Sequence, residues 1–316
     1  MSIISTENRS LKGGEFLIKS MNTSEGFFPE DFTEEHNMII ETVRDFISKE
    51  IVPNIAKMEK QEDNIAGTLL EKFGALGFIG THIPEEYGGM DMDFNTNTII
   101  GFEIGNASSF SVTYNAHTGI GMLPILYFGT KEQKDKYLPK MVAGEIKAAY
   151  CLTEPSSGSD ALAAKSTAVL STDGSHYILN GQKMWITNAG FADVFTVFAQ
   201  VPEHGFTGFI VEKGMEGFKL GEEEEKLGIK GSSTRQVYFE NVKLPANYLL
   251  GKLGKGHKIA FNVLNTGRFK LGAAVVGGSS VLTAESVKYA KAREQFGKPI
   301  FDFGAIKHKL AEQATR

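Results

Sequence analysis

The chain has 316 residues and a single cysteine, which excludes an internally disulfide-bonded scaffold and a cysteine-rich zinc site. Its 33 basic and 38 acidic residues give a net charge of −5, a poor balance for binding nucleic acid. Hydrophobic residues at 41% and charged residues at 22% are typical of a globular protein, and a chain of this length is expected to form two or three domains.

Neither a leader nor a membrane span is predicted. Residues 1–26 contain no apolar run of the kind that a secretory signal needs. The longest stretch without Asp, Glu, Lys or Arg, residues 104–130, is rich in Asn, Ser, Thr and Gly, so it is interpreted as a buried helix followed by a loop. We expect a cytoplasmic protein of bacterial type, and peripheral association with a membrane is left open.

From about residue 33 to residue 144, apolar residues recur with the helical period. Asp31 or Thr33 is a suitable N-cap for a helix that begins near Glu34, and Pro53 is expected to bend or end this helix. The same periodicity predicts three further helices, in residues 69–76, 95–108 and 131–141.

From about residue 150 the pattern changes to short apolar runs separated by turn residues. Five strands are predicted, in residues 167–170, 176–179, 194–200, 208–211 and 236–239. Turn residues between the strands are found at 172–174, 180–181 and 188–190. The four consecutive glutamates at residues 222–225 are interpreted as solvated surface.

After residue 245 the helical period returns. Residues 256–293 predict one long helix, whose many small residues allow another helix to approach closely. A second helix is predicted to begin near Gly304, and the sequence ends within it at Arg316. Because a helical hairpin cannot bury its apolar face alone, the natural chain is expected to continue.

These patterns predict an α+β multidomain fold. It consists of an all-α N-terminal domain, a central β-barrel or β-sandwich domain and the start of a C-terminal α-helical bundle. The expected boundaries are an N-terminal extension in residues 1–32 and domains in residues 33–149, 150–249 and 250–316.

Common phosphate-binding and catalytic motifs are absent from the sequence. There is no GxGxxG after a strand, no GxxxxGK[ST], and no HExxH, GxSxG or CxxC. The seven histidines do not cluster along the chain. His36, His82 and His117 are interpreted as surface residues or hydrogen-bonded core residues, and no metal site is predicted.

Residues 150–160 read Tyr-Cys-Leu-Thr-Glu-Pro-Ser-Ser-Gly-Ser-Asp. Hydroxyls, glycine and exposed backbone N–H groups suit a polar, anionic ligand, and an ordinary Ser- and Pro-rich loop is the alternative. Cys151 is expected to be a small buried residue, because no base adjoins it in the sequence. Glu154 and Asp160 are expected to cap turns and not to transfer protons.

Residues 182–188 read Gln-Lys-Met-Trp-Ile-Thr-Asn and contain the only tryptophan. On a strand, Trp185 and Thr187 lie on the same face. There the indole can stack on a flat aromatic ligand, and the hydroxyl can donate a hydrogen bond to it. The alternative is an ordinary core tryptophan.

Both segments resemble motifs of the acyl-CoA dehydrogenase family. Residues 150–160 look like its YC[VL]TEPxxGSD flavin-binding motif, and residues 182–188 look like a second flavin-binding motif. Other stretches match family segments in the same order along the chain: residues 83–89, 129–140, 227–234 and 293–298. The resemblance covers nearly all of the chain from about residue 25.

This resemblance implies bound FAD. Thr153 is expected at the edge of the isoalloxazine ring, and Trp185 and Thr187 on the face away from the substrate. Thr187 would lie near N5, where a donor stabilises the charge that arrives with a hydride. Arg293 and Gln295 are expected to reach the FAD of a neighbouring subunit, which implies a homodimer or homotetramer. The complete set of implied FAD contacts is Tyr150, Cys151, Leu152, Thr153, Gly158, Ser159, Trp185, Ile186, Thr187, Arg293 and Gln295.

The resemblance also implies a reaction, the FAD-dependent α,β-dehydrogenation of a fatty acyl-CoA to trans-2-enoyl-CoA, with electrons passed to an electron-transfer flavoprotein. Ser159 is expected to touch the CoA part of the substrate. A substrate-contacting turn is expected at Asn265, Thr266, Gly267 and Arg268. The family's catalytic Glu lies in a Phe/Tyr-Glu-Gly-Thr segment, which is expected beyond Arg316. No catalytic residue is therefore assigned, and the 316-residue piece is expected to be inactive alone.

The very-long-chain branch of the family is the most similar in residues 116–121, 264–269 and 303–304, and in the stretch from Lys12 to Pro29. Two alternatives stay open: an acyl-CoA oxidase that uses oxygen, and a non-catalytic assembly factor with the same fold.

Overall fold

The structure is a computed structural model that describes residues 13–22 and 26–316. Residues 1–12 and 23–25, which belong to the predicted N-terminal extension and include Lys12, lie outside the described residues. The described elements follow the predicted order of helices, then strands, then helices, which confirms the fold class.

Helices precede and follow the β region. The N-terminal helices are α1 (Glu34–Phe46), α2 (Ile55–Glu59), α3 (Ile65–Ala75), α4 (Phe94–Ile104), α5 (Phe110–Asn115), α6 (Leu123–Phe128) and α7 (Lys131–Val142). The C-terminal helices are α8 (Gly256–Ala292) and α9 (Gly304–Thr315). Between them lie β1 (Ala148–Cys151), β2 (Thr167–Leu170), β3 (His176–Thr187), β4 (Val194–Val201), β5 (Gly205–Glu212), β6 (Phe218–Glu223), β7 (Thr234–Pro245) and β8 (Leu249–Leu250), and a small hairpin of β9 (Glu294–Gln295) and β10 (Lys298–Pro299) joins α8 to α9.

The first helix begins where the sequence predicts. The Thr33 hydroxyl accepts a hydrogen bond from the backbone N–H of His36 and so caps α1. After Phe46 the chain continues through a wide turn and a tight turn that contains Pro53, and then enters α2. The prediction that Pro53 bends or ends the helix is thus confirmed. Helix α4 ends at Ile104, earlier than predicted.

In the β region β2 has the predicted bounds, while β3, β4, β5 and β7 are longer than predicted, and β1, β6 and β8 were not predicted. The predicted turn at residues 180–181 is wrong, because β3 runs straight through it. The pairing register between β3 and β7 shifts between Leu179 and Gly181, so an irregularity in the strand absorbs these turn-forming residues. The side chain of Asn180 also bonds across to Asn241 on β7.

The strands form one curled sheet in the order β6-β7-β3-β2-β4-β5-β8, and β1 pairs with β4 in parallel. Phe195 on β4 and Phe218 on β6 lie 4.8 Å apart between ring centroids, although their strands are not neighbours in this order. The sheet therefore closes around its own apolar core, in agreement with the predicted barrel or sandwich. A second core joins the N-terminal helices to the start of α8.

Small residues bring α8 into close contact with α4, as predicted. A Cβ on Gly277 would collide with the backbone carbonyl of Phe102, and one on Gly105 would collide with that of Ala274. Within residues 13–22 and 26–316, no helix is long and apolar enough to cross a membrane.

Candidate functional site

The first predicted segment, residues 150–160, begins within strand β1. The first residue of this strand is hydrogen-bonded to the N-terminal helical region. His117 accepts a hydrogen bond from the backbone N–H of Ala148 at 3.0 Å, and its other ring nitrogen lies 3.1 Å from the carbonyl of Met141. Burial lowers the pKa of His117 to about 4, so the ring is neutral near pH 7. His117 is thus the hydrogen-bonded core residue that the sequence predicts.

Cys151 is completely buried in the sheet core, as predicted. Burial raises the pKa of its thiol to about 12, which keeps it protonated. Ile186, on the second segment, is also buried in this core. For both residues, only backbone groups remain available to a ligand.

After β1 the chain makes a tight turn. The backbones of Glu154 and Ser157 exchange two hydrogen bonds of 3.0 and 3.1 Å across it. Gly158, Ser159 and Asp160 follow and are exposed. Asp160 stands at the start of a further turn, where its backbone carbonyl, and not its side chain, accepts hydrogen bonds from the Ser157 hydroxyl and the Ala163 N–H.

Glu154 does more than cap a turn. Its carboxylate accepts hydrogen bonds from the backbone N–H groups of Lys165 and Ser166, and it pairs with Lys183 Nζ at 2.7 Å. The two side chains are 3% and 0% exposed. Burial disfavours the carboxylate, but Lys183 and the N–H donors together hold the pKa of Glu154 below its ordinary value. This ion pair was not predicted, because no local pattern marks a pair of residues 29 apart.

Trp185 lies in a bulge of β3, where Met184 and Trp185 together face the single residue Gln236 of β7. Its φ of +59° is in the left-handed region, which is unusual for a bulky residue. The side chain is 60% exposed, which overturns the alternative of a core tryptophan.

The two segments meet at this bulge. The backbone N–H of Met184 donates to the carbonyl of Thr153 at 2.9 Å. Thr153 and Thr187 are half-buried, and their hydroxyls make no hydrogen bond within residues 13–22 and 26–316. An exposed indole and two free hydroxyls thus suit a flat aromatic ligand with a polar edge.

Residues of β6, of β7 and of the loop between them contact the end of the second segment and the chain directly after it. The hydroxyl of Ser233 accepts from the N–H of Gly190 at 2.9 Å and donates to Glu223 at 2.6 Å, while its carbonyl accepts from the N–H of Asn188 at 2.8 Å. Arg235 Nε lies 2.7 Å from the same carboxylate. The prediction that residues 222–225 are only solvated surface is therefore wrong for Glu223.

The predicted substrate-contacting turn lies inside α8, because Asn265, Thr266, Gly267 and Arg268 all belong to the helix interior. Arg268 donates to the Asn265 side chain at 2.9 Å. Burial raises the pKa of Tyr150, and the positive charge of Arg268 opposes this, so Arg268 lies within electrostatic range of the first segment. The Tyr150 hydroxyl also donates to the carbonyl of Ala260 on α8 at 3.3 Å.

Arg293 and Gln295 lie elsewhere. Both are exposed, at the far end of α8 and in the β9–β10 hairpin. At about 1.5 Å per residue, Arg293 is about 37 Å along the helix from Arg268. The structure thus does not bring these two residues to the other candidates of the same chain, and their role toward a neighbouring subunit stays a prediction.

The burial of Lys270 was not predicted either. Lys270 on α8 is 3% exposed, and its Nζ donates to the Thr118 hydroxyl at 3.0 Å and lies 5.3 Å from the ring centre of Tyr114. Burial lowers its pKa to about 8. Both ring nitrogens of nearby His82 are buried, and burial lowers the pKa of this residue to about 3. Among the described residues, no group of three or more His, Cys, Asp or Glu could hold a metal ion.

Three family models match successive parts of the chain. Residues 33–145 match the N-terminal domain of acyl-CoA dehydrogenases, residues 149–242 match the middle domain, and residues 254–316 match the C-terminal domain. A probable acyl-CoA dehydrogenase of Bacillus subtilis is 48% identical over 305 residues, which cover 96% of this chain and 51% of the relative.

Two further matches refine the comparison. The mitochondrial very long-chain specific acyl-CoA dehydrogenase of Homo sapiens is 41% identical over 322 residues, covering 96% of this chain and 48% of the relative. The crystal structure of an acyl-CoA dehydrogenase complexed with FAD from Bacillus anthracis has a TM-score of 0.92 at 48% identity, covering 96% of this chain and 52% of that chain. The chain spans about half the length of these relatives.

Proposed function

Because the chain belongs to the acyl-CoA dehydrogenase family, we propose that it binds FAD and serves the α,β-dehydrogenation of fatty acyl-CoA thioesters to trans-2-enoyl-CoA. The observation that carries this proposal is the meeting of the two segments. At this contact the exposed side chain of Trp185 is in the same part of the chain's surface as Thr153 and Thr187, whose hydroxyls are free among the described residues. FAD, when bound, supplies an acceptor for the two electrons that leave the substrate.

Each residue of the site has a distinct proposed role. The indole of Trp185 stacks on the ring system, and Thr153 and Thr187 donate hydrogen bonds to its polar edge. Backbone groups of Tyr150, Cys151, Leu152 and Ile186 complete the contacts, since the side chains of Cys151 and Ile186 are buried in the sheet. Gly158 and Ser159 lie on the exposed side of the turn, where a phosphate-bearing ligand has access.

The substrate side of the site is proposed on α8. Ser159 and the helix positions Asn265 to Arg268 are the candidate contacts for the CoA thioester, and Arg268 supplies a positive charge near Tyr150. The similarity to very long-chain specific relatives supports long acyl chains as substrates. The carboxylate that removes the α-proton is not assigned to any described residue.

The proposed partners follow from the same resemblance. An electron-transfer flavoprotein is the proposed electron acceptor, and the exposed Arg293 and Gln295 are proposed to reach the cofactor of a second copy in a homodimer or homotetramer. The two alternatives predict different behaviour. An oxidase would be reoxidised rapidly by oxygen after reduction, and an assembly factor with no flavin site would stay colourless with FAD.

The test has two steps. Purified protein is mixed with FAD, freed of excess cofactor and examined for flavin absorbance, and an acyl-CoA is then added without oxygen. We expect the flavin absorbance to remain with the protein and to persist after the acyl-CoA is added, because no described carboxylate is assigned as the base. A colourless protein would overturn the proposed site. Bleaching by the acyl-CoA would show that a carboxylate of these 316 residues serves as the base.

A further inference from the structure

The buried ion pair between Lys183 and Glu154 connects the two segments of the candidate site. Lys183 Nζ lies 2.7 Å from Glu154 Oε1 and donates to the carbonyl of Leu152 at 3.3 Å. The same carboxylate accepts from the backbone N–H groups of Lys165 and Ser166. The pair therefore joins β3, the turn after β1 and the start of β2 through backbone groups.

Stability alone does not account for this pair. Two charges lose their hydration on burial, and well-packed apolar residues of similar volume often stabilise a fold as much or more. Apolar side chains cannot, however, orient a carbonyl and two N–H groups at once. The ion pair makes directional hydrogen bonds to backbone groups, and one of them, from Lys183 to the carbonyl of Leu152, fixes the backbone of Leu152 relative to β3.

The residues adjoining the pair are candidate cofactor contacts. Thr153 lies between Leu152 and Glu154, and its carbonyl accepts from the N–H of Met184. Trp185 follows two residues after Lys183, in the left-handed conformation that only firm surroundings maintain. We propose that Lys183 and Glu154 are positioning residues, which hold Thr153 and Trp185 at the spacing that a flat aromatic cofactor needs. This inference rests on the proposed function.

The test compares two double variants of the full chain. Lys183→Met combined with Glu154→Gln removes both charges and retains side chains of similar shape, while the Gln oxygen can still accept from the backbone. The matched control, Lys219→Met combined with Glu240→Gln, removes an exposed pair of the same sheet, at 2.7 Å and with side chains 61% and 62% exposed. Melting temperature, the FAD dissociation constant and the shape of the bound flavin spectrum are measured for each.

We expect the Lys183/Glu154 double variant to melt close to the wild type, yet to bind FAD about tenfold more weakly and with an altered spectrum, because the two segments lose their spacing. The control is expected to bind FAD like the wild type. Affinity within twofold of the wild type, with an unchanged spectrum, would overturn the positioning role alone. A wild type that does not bind FAD would overturn the proposed function and this inference together.

A charge-conserving variant covers the case in which the double variant does not fold. Glu154→Asp retains the ion pair but withdraws the carboxylate by one methylene, which displaces the contacts to Lys183, Lys165 and Ser166. We expect its FAD dissociation constant to rise about threefold or more at a melting temperature that still permits binding. An unchanged dissociation constant in this variant would contradict the positioning role.

Discussion

Two of the buried lysines, Lys183 and Lys270, have different partners. Lys183 is completely buried beside a carboxylate at 2.7 Å, and Lys270 is 3% exposed beside the neutral hydroxyl of Thr118. Burial lowers the pKa of Lys270 to about 8, and no carboxylate among the described residues opposes it. Burial lowers the pKa of Lys183 as well, but there the charge of Glu154 opposes the shift. The two lysines therefore differ in whether a carboxylate compensates for their burial.

Breaking the pair at Lys183 is the largest effect we expect. Lys183→Met leaves the charged Glu154 buried without its partner, so the free energy of unfolding should fall by roughly 3–5 kcal/mol. Urea denaturation at pH 7 measures this change. Adding Glu154→Gln should recover most of the loss. If the free energy of unfolding of Lys183→Met lay within about 1 kcal/mol of the wild-type value, the pair would behave like an exposed ion pair, which would contradict its burial.

The corresponding change at Lys270 should have the opposite sign. The folded protein binds a proton at Lys270 less readily than the unfolded chain, whose ordinary lysine pKa is 10.5. Between about pH 8 and 10.5 the unfolded chain therefore carries more protons, and stability should rise with pH. Below pH 8 the penalty is fully present, at about 3 kcal/mol.

Lys270→Met should remove this penalty. We expect a more stable protein at pH 7, by up to about 3 kcal/mol, and a flatter stability between pH 8 and 10.5. Urea denaturation over that pH range measures both, and Lys219→Met, at an exposed lysine, serves as the control. If the free energy of unfolding depended on pH in the same way in the wild type and in Lys270→Met, the burial of Lys270 without a carboxylate partner would be contradicted.

A smaller effect is expected at the two histidines near Lys270. Burial is the main cause that lowers the pKa of His82 to about 3 and of His117 to about 4, and the charge of Lys270 adds to both. In Lys270→Met both pKa values should rise by less than about one unit, below 1.4 kcal/mol, and remain under 6.5. Nuclear magnetic resonance of labelled histidine reports them. An unchanged pKa at both rings would contradict an electrostatic effect of Lys270 on these two histidines.

The smallest effect is expected at the exposed pair. Lys219 and Glu240 are 2.7 Å apart on neighbouring strands, but water and salt screen them. Replacing both should change the free energy of unfolding by about 0–1 kcal/mol. Urea denaturation at low and high salt checks this, and a loss comparable to that at Lys183 would remove the distinction between buried and exposed pairs.

The sequence predicts what local rules determine. The cap at Thr33, the period of α1 and the small residues of α8 act within a few residues or along one helix face, and all three are found in the structure. Strand β6 and the continuation of β3 through residues 180–181 both depend on pairing with β7. Local sequence patterns do not show this pairing, so β6 was not predicted and a turn was wrongly predicted in β3.

The candidate site divides in the same way. Its motif residues could be named from the sequence, but their supports could not. Glu154 meets Lys183 across 29 residues, and Lys270 meets Thr118 across 152. Such partners become visible only once the chain is folded, which is why the burial of Lys183 and Lys270 was not predicted.

Residues 150–153 and 185–187 together are proposed to form a site for FAD. Because Trp185 is the only tryptophan, its fluorescence reports on that site directly. FAD is titrated into the cofactor-free protein, with a free tryptophan derivative as the control for light absorbed by FAD. We predict saturable quenching beyond that of the control. FAD that binds without such quenching, or that does not bind, would contradict the claim.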